Sequence, residues 1–274
     1  MSSITMPRLS IIIVTYNSRG YVDTCLQSLT RMLPALDHDI IVVDNASTDG
    51  TAAAVRERWP AVRVIDAGGN LGFAAANNIG IRQTSAELVL LLNPDAVVRP
   101  AAVDRLVALL DARPDVAVVG PRIVDGDRRA ELSFGAMISP VAELRQKVLV
   151  VGNDHHVPLI SGYVDRLTRR EKPVDWVSGA CLMVRRADAE AVGLMDERYF
   201  MYTEDVDFCA AIRSRGRTVL FTPAAEVVHL RGRSASTTPR PTEAAYRRSQ
   251  LAFYEKHHPG WVPALRAYLK LRGR

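Results

Sequence analysis

Five short apolar runs, Ser10 to Thr15, Ile40 to Val43, Val62 to Ile65, Leu88 to Leu92 and Val116 to Val119, alternate with stretches whose apolar residues recur at helical spacing. A period that switches in this way specifies βαβ units, and right-handed βαβ units stack into a mostly parallel sheet with helices on both faces. Helices are expected from Arg19 to Leu33, Thr51 to Trp59, Ala74 to Gln83 and Pro100 to Ala112, the last with proline in its first turn. The fold class is therefore α/β.

Past residue 120 the pattern loosens. Mixed charges with Pro140, Pro158 and Pro173 leave one helix near Val141 to Val151 and a mobile loop around Asp154 to Lys172. A strand at Ala180 to Val184 follows, then helices at Ala187 to Val192 and Val206 to Arg215. Strands at Thr218 to Phe221 and Val227 to His229 and a helix at Pro241 to His257 complete the reading. With 48% hydrophobic residues, the 274-residue chain can bury a substantial core. It has no apolar run near the roughly 18–20 residues that span a bilayer.

Met1 to Arg8 holds no apolar signal core, and Cys25, Cys181 and Cys209 are odd in number and far apart. Both features predict an unexported chain with reduced thiols in the cytoplasm. Charge is uneven: from Arg231 onward ten Lys plus Arg face two Glu, a balance of +8 that leaves −3 for the rest. Such a tail suits an anionic partner such as a pyrophosphate or an acidic membrane, unless it is simply a solvated helix face.

Open parallel sheets bind ligands beyond the carboxyl ends of their strands. Three runs deliver polar residues there: Thr15-Tyr16-Asn17, then Asp44-Asn45-Ala46-Ser47-Thr48-Asp49-Gly50, then Asn93-Pro94-Asp95. Asp49 or Ser47 can cap the next helix, but five polar side chains in seven positions exceed what a cap needs and match a nucleoside. Asp95 offers an oxygen ligand to a hard divalent cation, Mg²⁺ or Mn²⁺, although Asn-Pro-Asp is also ordinary turn chemistry.

Glu204, Asp205 and Asp207 stand at the start of a helix, where its dipole favours acids. Flanked by Phe200, Tyr202 and Phe208, they suggest a partly desolvated general base. His229 with Arg231 and Arg233 would suit a metal and pyrophosphate cluster. Neither G-x-G-x-x-G after the first strand nor G-x-x-x-x-G-K-S/T occurs, which argues against a dinucleotide oxidoreductase and a P-loop NTPase.

Taken together, these residues closely resemble the glycosyltransferase family two enzymes and, within them, the bacterial rhamnosyltransferase-like group. The matching segments are 10–17, 43–50, 69–73 with Asn77 and Asn78, 91–95, 177–184 and 196–207. The resemblance implies a GT-A fold: a mostly parallel Rossmann-like sheet flanked by helices, with an acceptor-binding half and a C-terminal helical extension. Residues 1–120 would be the nucleotide-sugar half, 121–233 the acceptor and catalytic half, and 234–274 the basic extension.

By the same resemblance, the nucleotide sugar would meet Thr15, Tyr16, Asn17, Asp44, Asn45, Ser47, Asn70, Asn77, Asn93, Asp95, Arg231 and Arg233. The acceptor would meet Trp176, Ser178, Gly179 and Ala180, and the metal Asp95 and His229. The family's strand-end motif usually reads Asp-x-Asp; Asn93-Pro94-Asp95 leaves Asp95 as the firm carboxylate ligand. Asp205 best matches the general base, with Glu204 as the competing assignment. The activity implied is inverting transfer of a sugar, L-rhamnose from dTDP-L-rhamnose, to a lipid-linked or cell-wall saccharide. The expected partners are that donor, that acceptor and an anionic membrane under the tail, at the inner face of the cell membrane; a homodimer is one arrangement, and nucleic acid is excluded. A sugar-phosphate nucleotidyltransferase and a non-catalytic sugar-nucleotide-binding protein are the rival readings.

Overall fold

In a computed structural model of the chain, residues 7–31, 34–230 and 239–271 are described. Nine strands form the main sheet: β1 (Leu9–Thr15), β2 (His38–Asp44), β3 (Arg63–Asp66), β4 (Leu88–Leu92), β5 (Ala96–Val98), β6 (Val116–Val124), β8 (Lys172–Pro173), β10 (Cys181–Arg185) and β11 (Thr218–His229). Their order is β3-β2-β1-β4-β10-β6-β11-β5, with β8 on β11. A separate pair joins β7 (Phe134–Gly135) to β9 (Trp176–Val177).

The parallel pairing of β1 with β2 and β4, and of β2 with β3, sets one direction for the nucleotide half. β10 enters antiparallel between β4 and β6, so its first residue lies beside the last residue of β4. β11 is parallel to β6. The mostly parallel sheet expected from the alternating pattern is therefore present, with β5, β8 and β10 reversed.

Alternation along β1 divides the core. Leu9, Ile11 and Ile13 pack with Val22, Cys25 and Leu26 of α1 (Arg19–Arg31), Val55 of α2 (Thr51–Arg58) and Leu106 of α4 (Ala102–Ala112). Ile12 and Val14 pack on the opposite side with Ala74 and Ala76 of α3 (Phe73–Arg82) and Phe208 and Ile212 of α8 (Glu204–Ser214). This is the period-2 pattern of a strand covered on both faces.

Three expectations are corrected. The mobile loop is in its middle a helix: α5 (Pro140–Asp154) is followed by α6 (Pro158–Leu167), each with proline in its first turn. α4 starts at Ala102 rather than Pro100, because Ala101 takes a left-handed conformation that cannot continue a helix. The two strands expected after Thr218 are one strand, whose register shift between Thr222 and Glu226 accommodates Pro223. After the short α7 (Arg186–Ala191) and α8, the chain ends in α9 (Pro239–His257) and α10 (Val262–Leu271). Among the described residues, no helix is long and apolar enough to cross a membrane.

Candidate functional site

At the carboxyl edge of β1 and β2, the polar run is largely committed to holding itself. The buried Asp44 accepts from the Thr15 hydroxyl at 3.0 Å and from the Ser47 amide at 3.0 Å. Asn17 closes the neighbouring turn: its amide donates to the Ser47 hydroxyl and its side-chain oxygen accepts from the Thr48 amide. Asp49, not Ser47, serves the helix starts, accepting from the amides of Thr51 and Arg19. Tyr16 is exposed beside this turn.

Asn45 is buried and anchors the loop before α3, donating to Asn70 at 3.0 Å and accepting from the Leu71 amide at 2.8 Å. Asn77 is turned back onto its own helix, donating to the Phe73 carbonyl. Its neighbour Asn78 clamps residues 195–197, accepting from the Met195 amide and donating to the Met195 carbonyl and to Glu197.

One edge further along the sheet, chain pairing assembles an acid and an imidazole. β5 pairs antiparallel with β11 so that Ala96 faces His229, and the Leu230 amide donates to the Asp95 carbonyl. The His229 Nε2 thereby lies 3.2 Å from Asp95, while Nδ1 on the other side of the ring lies 3.5 Å from Glu131. Burial lowers the imidazole pKa, but the hydrogen bonds and charges of Asp95 and Glu131 outweigh it and carry it up to about 9. Arg231 and Arg233 lie outside the described residues.

The carboxylates of α8 separate. Asp205 accepts from the Gly179 amide at 2.8 Å and from the Val206 amide at 2.8 Å. Burial raises both Glu204 and Asp205; Glu204 rises well above its ordinary value because the Asp205 charge adds to burial. One Glu204 oxygen has no hydrogen-bond partner, whereas two backbone N–H groups pull Asp205 back towards ionisation. Of the pair, Glu204 is held further above its ordinary value, by burial and by the neighbouring Asp205 charge. Asp207 points away, its oxygens held by Lys256 at 2.8 Å, His257 at 2.6 Å and the Tyr199 hydroxyl at 3.3 Å.

The loop leading into α8 is fastened on two sides. Tyr202 and Thr203 both have positive φ, an uncommon and costly conformation for side chains of this kind. Phe200 accepts from the Phe73 amide through its carbonyl, and Ser249 of α9 donates to the Met201 carbonyl. Gly72, at φ 86°, allows this closeness: a Cβ there would stand 2.3 Å from the Phe200 oxygen.

A short backbone path joins Asp205 to Asp95. Gly179 holds Asp205, the Ala180 carbonyl accepts from the Asn93 amide at 2.9 Å, and Asn93 lies two residues before Asp95. Ser178 is fixed by its amide to the Ser133 carbonyl, and Trp176 donates from its ring nitrogen to the Ala136 carbonyl. Asp205 is thus linked through the segment 179–180 to the end of β4, two residues before Asp95, beside which His229 stands. Glu131, Lys256 and His257 were not singled out from sequence; Asn78 and Tyr199 entered only as members of the matching segments, with no role of their own.

A mostly parallel sheet with helices on both faces and a reversed central strand is the GT-A architecture of glycosyltransferases. The family profile described as Glycosyl transferase family 2 matches residues 10–193, and the chain belongs to that family. It is 33% identical, over 96% of its length and 91% of the relative, to N-acetylglucosaminyl-diphospho-decaprenol L-rhamnosyltransferase of Mycobacterium tuberculosis. It is 24% identical to rhamnosyltransferase WbbL of Escherichia coli, covering 80% of this chain and 82% of that one. Among solved structures, it matches mannosyltransferase PcManGT from Pyrobaculum calidifontis, in complex with GDP-Man and Mn²⁺, at a TM-score of 0.62. That match has 21% identity and covers 97% of this chain and 70% of the other.

Proposed function

We propose that the chain transfers L-rhamnose from dTDP-L-rhamnose to a hydroxyl of a lipid-linked saccharide, with inversion at the anomeric carbon. The observation that carries the reading is the backbone link through Gly179, Ala180 and Asn93 between Asp205 and the Asp95–His229 pair. The names of the Mycobacterium tuberculosis and Escherichia coli relatives support rhamnose as the sugar, and that of the former supports a diphospho-polyprenol carrier.

Asp205, whose carboxylate accepts from the Gly179 and Val206 amides, takes the acceptor hydroxyl proton as the oxygen attacks from the face opposite the leaving diphosphate. Glu204, raised well above its ordinary value by burial and the Asp205 charge and without a partner for one oxygen, is the competing base. Asp44 with Thr15, Asn17 and Ser47 shapes the nucleoside edge, and Asn45 with Asn70 fixes the loop beside it. Asn77 and Asn93 shape the donor side of the cleft, and Tyr16 lies open to the base.

The donor set at Asp95 and His229 fits Mg²⁺ or Mn²⁺. The Asp95 carboxylate and the His229 Nε2 face each other at 3.2 Å, so the two would hold the cation once the imidazole gives up its proton, with Glu131 orienting the ring from behind. Such a cation takes its remaining ligands from phosphate and water and would neutralise charge on the departing diphosphate. Arg231 and Arg233 join the diphosphate grip in this proposal, and Trp176, Ser178, Gly179 and Ala180 line the acceptor side. A basic tail on the inner membrane face and a homodimer remain part of the reading.

The test is incubation with dTDP-L-rhamnose, a short-chain lipid-diphosphate saccharide and Mg²⁺ or Mn²⁺. Proton NMR of the product is expected to show the inverted anomeric configuration, with dTDP released in equal amount. Transfer with retained configuration, or none with any thymidine-diphosphate sugar, overturns the reading.

A further inference from the structure

The hairpin of α5 and α6 presents an apolar face that the rest of the chain leaves open. On α5, Val141, Leu144, Val148 and Val151 follow each other at spacings of three and four, which places them on one side of a helix. All four are exposed, Val141 at 78% and Leu144 at 66%. On α6, Leu159, exposed at 88%, and Tyr163 share a face one turn apart. Arg145 donates to the Tyr163 hydroxyl at 3.1 Å, so the two faces adjoin. Such a contiguous apolar patch marks an interaction surface.

Charge identifies the partner. Arg145, Lys147, Arg166, Arg169 and Arg170 are all exposed on the hairpin or just beyond it. Its acids are mostly engaged towards the protein. Glu143 accepts from Gln250 and Tyr254 of α9, Asp165 from Arg122 and Arg169, and Glu171 from Thr222. The outward face is therefore apolar at its centre and cationic at its rim. Two copies of such a face would repel one another, whereas an anionic bilayer satisfies both parts, acyl chains meeting Leu and Val and headgroups meeting Arg and Lys. On the C-terminal extension Leu265 packs in the cluster around Phe253, while Trp261, Tyr268 and Leu271 remain exposed.

We infer that the α5–α6 hairpin is the surface by which this chain docks on an anionic lipid bilayer, with Val141, Leu144, Val148, Val151, Leu159 and Tyr163 in the interface. Val141 and Arg145 also line a cavity of about 500 Å³ with Phe134, Leu149, Leu167 and Lys172. Phe134 belongs to β7, which pairs with β9 just before Ser178 and Gly179. The docked face thus adjoins the acceptor side of the site. The consequence for turnover rests on the lipid-linked acceptor proposed above; the docking itself does not.

The test is co-sedimentation of the full chain with vesicles of phosphatidylcholine alone or with about 30% phosphatidylglycerol, at near-physiological salt. The wild type is expected to bind the anionic vesicles at least about tenfold better than the neutral ones. Leu144→Glu with Val148→Glu, and separately Arg166→Glu with Arg170→Glu, are each expected to weaken binding about tenfold or more while the thermal midpoint stays unchanged. Both pairs are exposed, so folding does not depend on them. Transfer to a water-soluble short-chain acceptor should be equal in all three proteins, whatever the vesicle result. Vesicle binding that survives both double variants overturns the inference, as does a wild-type dimer in light scattering that Leu144→Glu with Val148→Glu dissolves. Absence of transfer by all three proteins would instead count against the proposed function.

Discussion

Gly72→Ala tests how the donor half positions the base. Gly72 has φ 86° and ψ 175°, a region essentially reserved for glycine, and a new Cβ would sit 2.3 Å from the Phe200 oxygen and 2.8 Å from its Cα. Reaching an ordinary contact of 3.4 Å requires roughly 1 Å of movement in backbone, which no side-chain rotation can supply. The backbone strain and the overpacking each cost about 1–3 kcal/mol. Phe200 lies four residues before Glu204 and five before Asp205, so the displacement passes to the base. A misplacement of about 1 Å at a reacting group lowers the rate on the order of 100-fold. Steady-state kinetics should show kcat down by about that factor, and titration with donor should show Kd changed by no more than about threefold. Thermal unfolding should move down by about 2–4 °C per kcal/mol. A Gly72→Ala protein with wild-type kcat and stability would refute the coupling.

Lys256→Met removes one cation from the buried Asp207, leaving His257 in place. Because Lys256 is about a third exposed, urea unfolding should report a loss of about 2 kcal/mol, below the range for breaking a fully buried pair, with Lys256→Arg recovering part of it. Glu204 has a folded-state pKa raised above its unfolded value of 4.5, so its stabilising contribution is full below that pH and fades as pH rises. The thermal midpoint of Glu204→Gln should therefore gain on the wild type between pH 5 and pH 8; a constant difference would mean that Glu204 ionises in the fold. Glu131→Gln should weaken Mn²⁺ binding in the presence of dTDP by about 10–100-fold in calorimetry, and unchanged affinity would remove Glu131 from the metal's surroundings.

Periodic elements read well from the sequence because burial on one or both faces leaves a pattern. β1 and β4 were legible since nearly every residue is apolar, and α3 since Ala74, Ala75 and Ala76 are strong helix formers. α6 was not, because Leu159 and Tyr163 lie exposed beside its inward stripe of Ile160, Val164 and Leu167, and its opening proline reads as a loop signal as readily as a first turn. The site was legible by residue type wherever a polar residue ended a strand. What the sequence could not show were partners distant along the chain. Glu131 meets His229 only through the pairing of β6 with β11, and Lys256 meets Asp207 only once α9 has packed on α8. Asp207 looked like a third active-site acid, yet two residues along a helix turn a side chain about 200° away from Asp205. Likewise, much of the run from Asp44 to Gly50 proved to be holding its own loop and the starts of two helices.

The central claim is that Asp205 removes a proton while other groups hold the donor. The measurement that meets it most directly is single-turnover transfer by Asp205→Asn, with the donor Kd determined alongside. Transfer is expected to fall by about 100-fold or more while Kd stays within about threefold of the wild type. Near-normal transfer by the variant would contradict the account.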